Sequence, residues 1–144
     1  MKPKLIEKTT RMSNGKPRVT VSAKGSFFFN HWAISLLGAK KDTKIQIFQD
    51  EEDKQIWYIH ITPKGYYSLS PKGGDANPTG SFASKGIAKL IFESLVQSMD
   101  HSLRFHLKGP VEHEGKTFFT LRIDKESLKI ELPKNNEPYQ FSRT

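Results

Sequence analysis

Residues 24–61, KGSFFFNHWAISLLGAKKDTKIQIFQDEEDKQIWYIHI, constrain the fold more than any other part of this chain. Pro17 to Lys24 alternates apolar and polar residues, with Val19 and Val21 on one side, which is the pattern of a half-buried strand. Asn30 is an N-cap type, Trp32, Ala33, Leu36 and Leu37 share one helical face, and Gly38 is placed to end a short helix over 31–38. Thr43 to Gln49 and Gln55 to Thr62 then read as two strands joined by the acidic tip Asp50–Asp53. A second unit over 80–124 opens on Gly80-Ser81-Phe82, which repeats Gly25-Ser26-Phe27. Ser84 can cap a longer helix over 85–98 whose apolar face is Ile87, Leu90, Ile91 and Leu95, and a hairpin follows at 103–107 and 117–123 around a turn at 110–115. Residues 127–132 read as a further edge strand.

The fold class predicted is therefore α+β: two strand-helix-hairpin repeats forming antiparallel sheets around a shared core. A lone half of about 60 residues would bury too little surface to be stable, so the halves are expected to share that core. The organisation predicted is a flexible basic arm at 1–14, a first repeat at 15–70, a linker loop at 71–79, a second repeat at 80–132 and a tail at 133–144. The stretch Pro71 to Gly80, PKGGDANPTG, which contains this linker, is the clearest loop in the chain.

Charge separates along the chain. Residues 1–24 carry seven Lys or Arg against Glu7, a net +6, and residues 64–89 carry four Lys against Asp75, a net +3. Residues 90–124 sum to −1, so the whole-chain +8 is concentrated in the arm and between the repeats. Such a field attracts polyanions, nucleic acid first. The chain has no Cys, which excludes disulfides, zinc-thiolate sites and thiol catalysis and fits a cytoplasmic setting. No apolar run reaches the ~18–20 residues of a membrane span, and the N-terminus lacks the apolar stretch of a secretory signal.

No catalytic constellation accompanies this architecture. The five His, at 31, 60, 101, 106 and 113, show no metal-ligand spacing, and Asp50–Asp53 lacks the alternation and glycine of a calcium loop. Asp100 with Glu114-Gly115-Lys116 superficially matches the acid…acid-x-Lys pattern of metal-dependent nucleases, but Glu114-Gly115 reads as a turn, whereas that chemistry needs a rigid strand. Neither enzyme activity nor a cofactor is expected. Basic and aromatic residues do interleave, at Arg18, Lys24, Phe27, Phe29 and His31, and again at Lys64, Tyr66, Tyr67, Lys72, Phe82 and Lys85. Single-stranded nucleic acid binds in this manner, with cations tracking phosphates and rings stacking bases. Alternation along the strand places Tyr66 and Tyr67 on opposite faces, and at least one in two of Phe27–Phe29 belongs to the core.

Residues 18–61 resemble the AbrB/MazE swapped-hairpin DNA-binding family. Val19-Thr-Val-Ser-Ala-Lys-Gly25 matches its opening strand and Gly turn, Ala33-Ile-Ser-Leu-Leu-Gly38 its helix and helix end, and Ala39-Lys-Lys-Asp-Thr-Lys-Ile45 the turn into its third strand. The family usually has a Pro before the helix, where this chain has Phe29-Asn30. The resemblance implies DNA binding by Arg11, Lys16, Arg18 and Lys24, and a dimer. The strand-rich order from Tyr58 through the helix at 85–98 is also similar to the Whirly-like single-stranded DNA-binding fold. The function these readings predict is non-catalytic binding of DNA, by a transcriptional regulator or a single-stranded DNA-binding protein, through Arg11, Lys16, Arg18, Lys24, Lys64, Tyr66, Lys72 and Lys85. The alternative is a protein-interaction or assembly module whose basic surface serves solubility.

Overall fold

The computed structural model describes residues 2–3, 15–69, 71–72 and 78–132. In chain order it contains β1 (Arg18–Val21), β2 (Ser26–Phe29), α1 (His31–Leu37), β3 (Lys44–Gln49), β4 (Trp57–Ile61), β5 (Tyr67–Ser68), β6 (Gly80–Ala83), α2 (Lys85–Ser94), β7 (Leu103–His113), β8 (Lys116–Ile123) and a 3-10 turn at Lys125–Ser127. The strands form one antiparallel sheet in the order β5-β3-β4-β8-β7-β1-β2-β6. Its two ends curl together. Lys72 and Thr79 pair across the connection from β5 to β6, the Tyr67 ring stacks on Phe82 at 4.9 Å, and the Tyr67 hydroxyl lies 3.3 Å from Ser84 Oγ. The result is α+β and nearly a closed barrel, with the two end strands brought close to each other.

Alternation decides which side chains fill the interior. Val19, Val21, Phe27, Phe29, Leu103 and Phe105 are fully buried, while the residues between them point outward. The middle Phe of the Phe27–Phe29 run is the exposed one, at 46%. Both helices pack against this interior: α1 buries Ala33, Ile34 and Leu37, and α2 buries Ala88, Ile91 and Phe92. Asn30 caps α1 by accepting from the Ala33 amide at 2.8 Å, and Gly38 ends it at φ 68. Ser84 caps α2 by accepting from the Ile87 amide.

Three expectations are corrected. The second helix stops at Ser94, not at residue 98, because Val96 adopts φ 57 and turns the chain. Residues 127–132 form no strand. The buried Gln97 amide takes their backbone groups instead, donating to the Ile130 carbonyl at 2.6 Å and accepting from the Lys129 and Ile130 amides. The β7–β8 loop is also shorter than the predicted 110–115. A register shift between Lys108 and Val111 lets β7 pass Pro110 and run on to His113. The turn is only Glu114-Gly115, both at positive φ as a two-residue hairpin requires. Tyr66 and Tyr67 do face opposite ways, with Tyr67 against Phe82 and Tyr66 83% exposed. Among the described residues, no helix is long and apolar enough to cross a membrane.

Candidate nucleic-acid interface

The outward residues of β1, β7 and β8 form a cationic face set by strand register. Arg18 pairs with His106, and His106 pairs with Arg122, so these three stand in one row across three strands. Cross-strand partners lie about 5 Å apart at Cα. One step along β7, Arg104 is opposite Thr20, which is in turn opposite Phe28. One step the other way, Lys108 is opposite Thr120, which is opposite Tyr58. Lys16 is exposed just before β1. The cations are thus carried by alternate positions on rigid strands, with an exposed ring, Phe28, two strands away from Arg104.

Among the described residues, the carboxylate that meets this face is Asp124. Asp124, largely buried at the end of β8, has its Oδ2 3.5 Å from both Arg18 Nη1 and Arg104 Nη2. It is anchored by accepting from the Glu126 amide, and its own amide donates to the Arg104 carbonyl. Asp124 therefore holds two guanidinium groups in place and offsets one of their charges. Lys16, Arg18, Arg104, Lys108 and Arg122 against Asp124 leave the face net positive. His106 sits among them. Burial, and after it the charges of Arg18, Lys108 and Lys16, push its pKa below the usual 6.5, while Asp124 opposes the shift.

The residues predicted from sequence divide into separate places. Lys16 and Arg18 belong to the cationic face. Lys24 lies in the β1–β2 turn beyond the other end of β1. Lys85 lies beside that turn, because Gly25 packs on the Lys85 backbone so tightly that an added Cβ would fall 2.8 Å from Lys85 Cα. Lys64, Tyr66 and Lys72 are exposed around β5, and β2 and β6 stand between them and β1. Arg11 falls outside the described residues. Sequence reasoning missed Arg104, His106, Lys108 and Arg122. The signal was present in Leu103-Arg-Phe-His-Leu-Lys108, whose alternation buries every other residue. A tally over a long segment hid it, because the acids of α2 and of the β7–β8 tip cancel these cations.

A cleft of about 570 Å³ lies between the β3–β4 and β7–β8 tips, walled by Phe48, Tyr58 and Phe118 and edged by acidic side chains. The Tyr58 hydroxyl donates to Asp50 at 2.6 Å; that bond pushes the tyrosine up to about 12 and holds the Asp50 carboxyl below its ordinary value. Asp100 and Glu114 do not form a nuclease pair, because the eleven-residue strand β7 separates them. Among the described residues, no group of His, Asp and Glu is placed to hold a metal ion. In comparison with known proteins, the chain matches no family model, no curated protein and no solved structure.

Proposed function

We propose that this protein binds DNA without catalysis, through the outer face of β1, β7 and β8, and that single strands are its preferred form. The observation that carries this reading is the row Arg18–His106–Arg122 with Arg104 and Lys108 on either side, gathered on one wall where Asp124 is the one carboxylate among the described residues. Phosphates pair with such cations whatever the base sequence. The wall is strand-built and presents no helix for a major groove, and the half-exposed Phe28 ring offers a base a stacking surface.

We also propose that the barrel is two repeats that exchange their opening hairpins. Phe27 and Phe82, which close the two Gly-Ser-Phe motifs, are register partners with rings stacked at 4.5 Å and 8°. Exchanging β1–β4 with β5–β8, a division that moves β5 out of the 15–70 span expected for the first repeat and into the second, leaves the cyclic strand order unchanged once β5 and β6 meet. In that order β1 lies against β7 and β5 against β3, so each unit's first strand pairs with the other unit. Ala33 and Leu37 correspond to Ala88 and Phe92 at the same 55-residue spacing as Phe27 and Phe82, and all are buried. Hairpin exchange of this kind supports a relation to the AbrB/MazE-like proteins, with one chain supplying both halves.

Gel shifts with unrelated single- and double-stranded oligonucleotides test the function. Arg18→Ala with Arg122→Ala should weaken binding to every sequence, and Lys64→Ala with Lys72→Ala should not. Equal affinity of the first pair and the parent protein would remove the proposed face.

A further inference from the structure

His106 occupies the centre of the cationic face, and every outward neighbour nearest to it is a cation. Arg104 and Lys108 flank it along β7, two residues away, which is about 7 Å on an extended strand. Arg18 faces it from β1 and Arg122 from β8. Lys16 acts on it from the segment before β1, and Asp124, after β8, opposes these cations. Partial burial and this ring of positive charge both disfavour an imidazolium, so the side chain is neutral at physiological pH. A Lys or Arg at this position would stay charged and repel its neighbours in the unliganded protein. An imidazole sheds its charge and still offers one N–H donor and one acceptor nitrogen.

We propose that His106 is a ligand-contacting residue, which holds a backbone phosphate at the centre of the four surrounding cations and takes a proton from solvent as the polyanion docks. This rests on the nucleic-acid reading above. A phosphate placed between Arg18, Arg104, Lys108 and Arg122 brings negative charge to where the imidazole feels mainly positive charge, offset in part by Asp124. That charge offsets the field that disfavours an imidazolium, and the protonated ring offers its second N–H to the phosphate oxygens. Proton uptake and phosphate binding then reinforce each other by the same factor. Affinity should therefore rise as pH falls, by at most about tenfold per pH unit for one linked proton.

The test measures affinity for a fluorescent oligothymidylate between pH 5 and pH 8 at fixed ionic strength, with parent protein and His106→Gln. The parent should gain affinity toward acid pH, approaching tenfold per unit at its steepest. The variant should lose that gain, although His31, His60, His101 and His113 remain. In NMR titrations of the parent, which do not depend on how the variant folds, the His106 ring should take up its proton at higher pH in the complex than alone. An identical pH slope in His106→Gln, or an unmoved His106 titration on binding, overturns this proposal and leaves the DNA reading standing. Absence of binding at every pH overturns the DNA reading and this proposal with it.

Discussion

Removing Arg18 and Arg122 together should change how binding responds to salt, and the structure sets the size of the change. The two guanidinium groups flank His106 in one row. With Lys16, Arg104 and Lys108 they make five cations on or beside the face. If each neutralises one phosphate, log Kobs against log salt should fall with a slope of about −3.5 on single strands and about −4.5 on duplex. Between ~50 and ~200 mM salt that is a loss of roughly 10²- to 10³-fold. Asp124 already engages Arg18 and Arg104 at 3.5 Å each, so the parent slope should fall short of this ceiling. Arg18→Ala with Arg122→Ala removes two cations and should make the slope shallower by about 1.4 on single strands or about 1.8 on duplex. Lys108→Ala, on an exposed side chain, should make it shallower by about 0.7–0.9 and separates lost contact from lost folding. Fluorescence anisotropy at five salt concentrations and constant pH gives each slope. The reasoning fails if the double variant keeps the parent slope, or if Lys64→Ala with Lys72→Ala changes it as much.

Other outcomes follow from local geometry. Gly25→Ala puts a Cβ against the Lys85 backbone at φ +95 and should destabilise the fold by about 1–2 kcal/mol or more; an unchanged melting temperature would contradict that packing. Gln97→Leu leaves the amides of Lys129 and Ile130 and the Ile130 carbonyl without their partner, and should cost about 1–3 kcal/mol in denaturant unfolding and loosen 128–132 in hydrogen exchange. Ultraviolet titration should show one tyrosine ionising near 12, and Asp50→Asn should return it toward 10. The Tyr58–Asp50 pair should support stability above the ordinary Asp range and below pH 10. That support should fade as acid protonates Asp50 and as alkali ionises Tyr58 near 12. His106 has a lowered pKa in the folded chain, so its contribution should be fully present above pH 6.5 and lost as pH falls below it; His106→Gln should flatten that part of the acid unfolding profile.

Helix caps, turns and alternation were legible because their causes are local. Asn30 and Gly38 bound α1 by hydrogen bonds and φ values that adjacent residues supply. The outward and inward sides of β1 follow from steric alternation in the Val19–Val21 stretch alone. The C-terminal end of α2 was misread because Val96 leaves the helix at positive φ with no glycine to mark it, and the segment at 127–132 because Gln97 lies more than thirty residues from the backbone it binds, a pairing no periodicity encodes.

The chain's own chemistry thus determined which residues face outward on each strand, where each helix starts, and that positive charge is in excess. Only the tertiary structure decided which strands lie side by side. Register between β1, β7 and β8 brings Arg18, His106 and Arg122 together across more than a hundred residues of sequence. It also sets Lys64 and Lys72 apart from them, with β2 and β6 between. The physical reason is that side-chain direction is a property of one strand, whereas a charged surface is a property of several, and their order is set by burial of the core they share.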